Sequence, residues 1–113
     1  MIRIYHNSRC GKSREGLKIV EESGKPFEVI EYMKEPITPS ELEEVIDLLE
    51  IEPMDLVRTK EQVWKDRYAD LDLDDEELIM VMIEEPRLME RPIVVNGEKA
   101  VVGRPPERIK EIL

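Results

Sequence analysis

Apolar positions in this chain come in short β-prone stretches separated by segments with helical spacing. Ile2, Ile4 and Tyr5 open with a β-prone stretch that runs into the loop-forming trio His6-Asn7-Ser8. From Cys10 onward Leu17 and Val20 fall at helical spacing, and Gly24 followed by Pro26 supplies a stop. The pattern predicts a helix of about 14 residues with Cys10 at its N-terminus. Phe27-Glu28-Val29-Ile30 is β-prone again. A helix between two strands predicts a β-α-β unit with parallel strands and a right-handed crossover.

Thr38-Pro39-Ser40-Glu41 places an N-cap Thr, a Pro at the first helical position and a Glu able to reach back, ahead of Leu42, Val45, Ile46 and Leu49. This helix is expected to break near Glu52-Pro53, and a further turn of helix to begin at Asp55-Leu56-Val57-Arg58-Thr59 and carry Trp64 and Tyr68 inward. Asp72 to Glu77 gathers carboxylates at the first turn of the helix bearing the apolar run Leu78 to Ile83, where the helix dipole favours negative charge. Pro86 ends it. Ile93-Val94-Val95, the turn Asn96-Gly97 and Ala100-Val101-Val102 then read as a hairpin, and Pro105-Pro106 opens a last helix through Ile109 and Ile112. The order predicts one α/β domain over residues 1–113. Its core is a four-stranded mixed sheet of the thioredoxin type, β-α-β then β-β-α, with a helical insert over about residues 37–88.

Composition narrows the functional classes. The 113 residues are 41% hydrophobic, enough for a modest core, which argues against wholesale disorder. With 17 Lys+Arg against 27 Asp+Glu the formal charge is −10, so composition offers no basic stripe for nucleic acid. The longest apolar run, Leu78 to Ile83, falls far short of the roughly 20 residues that cross a bilayer, and no signal-peptide core follows Met1, so a soluble, cytoplasmic protein is expected. One cysteine and one histidine leave no intramolecular disulfide and no expected metal site or bound cofactor.

The chemistry centres on that cysteine. A helix N-terminus stabilises a thiolate through free N–H groups and the positive end of the dipole, and Arg9, Lys12 and Arg14 lie close in sequence. Ser13 occupies the place where a dithiol redox protein carries its second cysteine, with a hydroxyl available to donate to the sulfur, so any disulfide of Cys10 is made with another molecule. The same N–H groups suit an oxyanion. A free cysteine is equally a small buried residue by default. His6 is a candidate for tuning the thiolate or moving a proton, against the plainer reading of a loop histidine capping backbone. Arg58, Arg91 and Arg104 read by default as solvated surface arginines. Arg91-Pro92 and Gly103-Arg104, however, flank the same hairpin, and guanidinium forks suit tetrahedral oxyanions.

Taken together, Tyr5-His6-Asn7-Ser8-Arg9-Cys10-Gly11-Lys12-Ser13-Arg14, Arg58-Thr59-Lys60-Glu61, Glu90 to Gly97, and Gly103-Arg104-Pro105-Pro106-Glu107 resemble the glutaredoxin-linked arsenate reductase family over nearly the whole chain. The resemblance implies a thioredoxin-like fold with a helical insert, in agreement with the pattern. It implies that Cys10 attacks arsenate, that Arg58, Arg91 and Arg104 hold the oxyanion, that His6 assists the thiolate, and that Arg91-Pro92 is a cis bond. It also implies glutathione as co-substrate and glutaredoxin as reducing partner. Ser8 stands where the family commonly has proline, which predicts a less rigid loop before Cys10. The same motifs resemble a sister group, the Spx-type regulators that bind RNA polymerase, many of which carry a second cysteine where Ser13 stands. A third reading is a monothiol reductase acting on another oxyanion or on a glutathione mixed disulfide.

Overall fold

The four strands and most of the helices that the hydrophobic pattern predicts are present in a computed structural model that describes all 113 residues. The chain divides into two compact units, one formed by Met1–Glu35 with Arg91–Leu113, the other by Pro36–Glu90. In the first unit four strands, β1 (Ile2–Tyr5), β2 (Phe27–Ile30), β3 (Ile93–Asn96) and β4 (Lys99–Val102), form one mixed sheet in the order β2-β1-β3-β4. β1 pairs in parallel with β2, Ile4 opposite Val29, and antiparallel with β3, Ile4 opposite Val94. This is the α/β, thioredoxin-like mixed sheet expected from the chain order.

Helix α1 (Gly11–Glu22) connects β1 to β2 and has Cys10 as its N-cap. It is a little shorter than expected because Ser23 ends it and Gly24, at φ 72°, turns the chain into a left-handed conformation that glycine adopts without steric penalty. Val20 of α1 packs with Ile2, Ile4, Val94, Val101 and Ile109 in a buried cluster, so the strand positions of period two and the helix positions meet in one core. Each such side chain contributes about 1.5–3 kcal/mol on burial.

The residues after β4 do not form the expected α-helix. Pro106–Glu111 is a 3-10 helix, with Arg108 N–H donating to Pro105 O and Ile112 N–H to Ile109 O. Two prolines at its start and a length of six residues suit the tighter geometry, which is used in short pieces. The hairpin turn is displaced by one residue. Asn96 pairs with Lys99, leaving Gly97 and Glu98 as the loop, and Gly97 at φ 65° occupies the first central position, where a two-residue turn requires glycine.

The second unit is helical. Thr38 caps α2 (Pro39–Leu49) by accepting from Glu41 N–H, and Leu42, Val45 and Ile46 form its buried stripe. Its end is set by Glu50, which holds φ 57° where a glycine would be unstrained. The continuous turn expected from Asp55 to Trp64 is instead divided. Pro53–Leu56 is a 3-10 helix, Val57 bridges to Met89, and α3 (Gln62–Arg67) begins afterwards. β-branched Val57 suits that extended bridge. Trp64 is buried and Tyr68 half-buried, with ring centroids 5.8 Å apart. Asp75, Glu76 and Glu77 stand in the first turn of α4 (Asp75–Glu84), as expected for the acidic cluster, and Asp74 and Glu77 add a reciprocal capping box that the sequence reading did not name. No helix of the protein is long and apolar enough to cross a membrane.

Two glycines set the distance between α1 and the residues before β3. A Cβ on Gly16 would lie 2.7 Å from Pro92 Cγ and 2.9 Å from Ile109 Cδ1, and one on Gly103 would lie 2.8 Å from Ile109 Cδ1 and 3.0 Å from Pro92 Cγ. In an open helix Gly→Ala stabilises by about 1 kcal/mol through propensity. At Gly16 the rigid proline ring reverses the sign. Gly16→Ala is expected to lose about 1–3 kcal/mol in urea unfolding, and a variant as stable as the parent would show that Pro92 and Ile109 can yield.

Candidate active site

The site is built where β1 ends and α1 begins. His6 N–H donates to Ile30 O at 2.9 Å, extending the β1–β2 pairing by one residue. The chain then turns, Cys10 N–H donating to Asn7 O at 3.0 Å, and Cys10 takes the extended N-cap conformation while its own carbonyl accepts from Arg14 N–H. The sulfur thus stands at the first turn of α1, where N–H groups have no partner within the helix.

The hairpin brings two guanidiniums to the same place. Gly103 N–H donates to Pro92 O at 2.8 Å, continuing the β3–β4 ladder, and Arg104 Nε donates to Arg91 O at 2.8 Å, tying the two arginine segments together. Arg104 Nη2 lies 3.5 Å from Cys10 Sγ, and Arg91 hydrogen-bonds the sulfur as well. Burial by itself pushes the Cys10 thiol up. The Arg91 hydrogen bond, the backbone N–H groups of Ser13 and Lys12 and the Arg91 charge outweigh it and hold the thiol below its ordinary value. Arg91-Pro92 is cis, and so is Arg104-Pro105, which the sequence did not suggest.

Ser13 reaches the sulfur through its backbone N–H, while its buried hydroxyl is used elsewhere, 2.7 Å from His6 Nδ1 and accepting from Asn7 N–H at 2.9 Å. The expected donation from the Ser13 hydroxyl to sulfur is therefore replaced by a main-chain contact. His6 is buried, and its ring engages the loop through Ser13. Burial pushes its imidazole below 6.5 against the opposing pull of Glu31.

Cys10, Ser13, His6, Arg91 and Arg104 all lie in the sheet unit. Arg58 lies in the helical unit, where Nη2 is 3.3 Å from Glu61 Oε1, its N–H donates to Leu88 O, and Nη1 is buried with no hydrogen-bond partner. In the sequence Asn7 reads only as a loop former and Arg14 only as a cation near Cys10, and neither pattern shows their part in holding this turn. Arg14 Nη1 donates to Ser8 O at 2.9 Å, holding the loop where proline is absent. A cleft of about 270 Å³ opens beside the loop, lined by Asn7, Ser8, Arg9, His6, Glu31, Met33 and Lys34; Cys10 does not line it. No three His, Cys, Asp or Glu side chains are grouped to hold a metal ion.

Residues 5–112 match the ArsC family. The chain belongs to that family. An ArsC relative named arsenate reductase, from Haemophilus influenzae, is 41% identical over 97% of both chains, and the Escherichia coli K12 protein YfgD is 43% identical over 99% of this chain and 96% of its own. The solved structure titled arsenate reductase from Vibrio cholerae superposes with a TM-score of 0.93 at 40% identity, covering 99% of this chain and 97% of the other. The ArsC fold persists in a related Bacteroides fragilis structure at 20% identity and a TM-score of 0.83, a likeness that speaks to fold alone.

His6 supplies a clean titration, since the chain has one histidine. Its folded value is lowered, so the unfolded chain binds the proton more readily. Stability is full above 6.5 and is lost as pH falls from 6.5 through the lowered folded value. Urea midpoints measured at about pH 7.5 and 5.5 should fall further in the parent than in His6→Asn. Equal losses would remove His6 as the titrating group.

Proposed function

We propose that this protein reduces arsenate to arsenite through Cys10, drawing electrons from glutathione and glutaredoxin. The observation that carries the reading is the sulfur at the start of α1 with Arg91 and Arg104 against it. A thiol held below its ordinary value beside guanidinium and main-chain donors is suited to attack on a tetrahedral oxyanion. The names of the 41% and 40% identical relatives support arsenate as the substrate.

In the first step the Cys10 thiolate attacks As(V), and one arsenate oxygen takes up protons and leaves as water, forming an S–As bond. Arg91 and Arg104 neutralise charge on the remaining oxygens, and Arg58 is the third guanidinium that the family resemblance assigns to them. A glutathione thiol then displaces a second oxygen as water, so arsenic is bonded to two sulfurs. The glutaredoxin thiolate attacks the glutathione sulfur. The electron pair of that S–As bond passes to arsenic, reducing As(V) to As(III), while the two attacking and attacked sulfurs are oxidised to a mixed disulfide. Water replaces Cys10 on As(III), releasing arsenite and the thiolate. A chain with one cysteine requires this external thiol. His6, in contact with the Ser13 hydroxyl, is the residue that the family resemblance assigns to assisting the thiolate.

NADPH consumption with arsenate, glutathione, glutaredoxin and glutathione reductase tests the reading. Cys10→Ser should abolish turnover, and Arg91→Ala and Arg104→Ala should each lower kcat/KM by about 10²–10³-fold. Arg→Lys at either position should recover part of the loss, because a point charge replaces a bidentate fork. No turnover by folded protein would set arsenate aside in favour of another thiol substrate or of the polymerase-binding regulators.

A further inference from the structure

The turn that carries Cys10 is held by one residue more than by any other. Asn7 uses three polar groups in it. Its N–H donates to Ser13 Oγ at 2.9 Å, its carbonyl accepts from Cys10 N–H at 3.0 Å, and its side-chain Oδ1 accepts from Arg9 N–H at 3.1 Å. The first tie anchors the loop to α1, the second closes the four-residue turn, and the third is the side-chain mimic of a backbone turn that asparagine makes readily. These bonds also decide which N–H groups remain for the sulfur. Those of Arg9 and Cys10 are occupied by Asn7, whereas those of Lys12 and Ser13 face Sγ.

We infer that Asn7 is a positioning residue for Cys10: its side-chain and main-chain oxygens occupy the Arg9 and Cys10 N–H groups and fix the turn that aims the sulfur at the N–H groups of Lys12 and Ser13. Asn7 acts on the reaction only through the placement of Cys10. The neighbouring polar atoms do not duplicate its role. Arg14 holds the carbonyl of Ser8, and Ser13 Oγ is shared with His6, so neither supplies an acceptor for Arg9 N–H. The inference rests on Cys10 being the reacting thiol, as proposed above, but it does not depend on arsenate.

Its test is therefore a reaction without arsenate, the rate of Cys10 alkylation by iodoacetamide as a function of pH in the parent, Asn7→Ala and Asn7→Ser. The groups facing the sulfur are Arg91 and Arg104 from the hairpin and the Lys12 and Ser13 N–H groups from α1, and all are unchanged in these variants. Asn7→Ala should move the midpoint up by about 0.5–1 pH unit, a roughly three- to tenfold slower reaction below the midpoint. Asn7→Ser retains a short acceptor two residues before Arg9 and should recover part of the shift. A parental midpoint in folded Asn7→Ala, or equal shifts in the two variants, would overturn the assignment. If Asn7→Ala does not fold, amide exchange in the parent decides. Arg9 and Cys10 N–H should be protected, and exchange of both at unfolded-chain rates would overturn it. A shifted midpoint in a protein that fails to reduce arsenate would leave Asn7 in place and remove only the substrate.

Discussion

The close approach of α1 to Pro92 is the constraint on which the site depends. Gly16 and Gly103 leave no room for a Cβ against the Pro92 ring and Ile109, so helix, hairpin and the 3-10 helix at Pro106–Glu111 lock at one separation. Cys10 stands at the end of that helix, Arg91 precedes Pro92, and Arg104 follows Gly103. Packing of apolar atoms thus sets the distance between a sulfur and two guanidiniums, and a shift of even a fraction of an ångström in the core is transmitted to the chemistry.

Electrostatics at the sulfur is a contest with a definite winner. Burial opposes a thiolate, yet the same exclusion of water strengthens each donor that points at it. The donors are oriented main-chain groups and a guanidinium pair joined through Arg104 Nε and Arg91 O, so little rearrangement is needed when negative charge forms. Exposed pairs such as Lys12–Glu15, more than half exposed on both sides, contribute little by comparison.

Much of this was legible in the chain itself, and the limits have physical causes. Strands β1, β2 and β3 showed because β-branched and aromatic residues cluster there, α2 because its cap is a local hydrogen-bond pattern, and α4 because carboxylates precede its apolar run. Cys10, Arg91 and Arg104 were legible as candidates from helix position and hairpin flanks. What local pattern could not carry is partner choice. The Ser13 hydroxyl turns to His6 and Asn7, a decision made by three-dimensional placement. The crowding at Gly16 and Gly103 is likewise invisible until their neighbours in space are known. Glu50 conceals the end of α2 because it adopts a left-handed φ without the glycine that normally marks it. Asn7 was read only as a loop former, although asparagine two residues before Arg9 is a recognisable turn signal.

The pairing of β1 has a consequence for how the protein is made. Arg3 lies opposite Val95 and Tyr5 opposite Ile93, so the central strand finds its antiparallel neighbour only near the far end of the chain. During synthesis β1, α1 and β2 leave the ribosome long before β3. Closing so long a loop is a slow, entropically costly event. Until that pairing forms, Arg91 and Arg104 are not held against the sulfur, and Cys10 lacks the part of its activation that the hairpin guanidiniums supply. Full activation of the thiol therefore depends on the sheet pairing whose strands lie farthest apart in the chain.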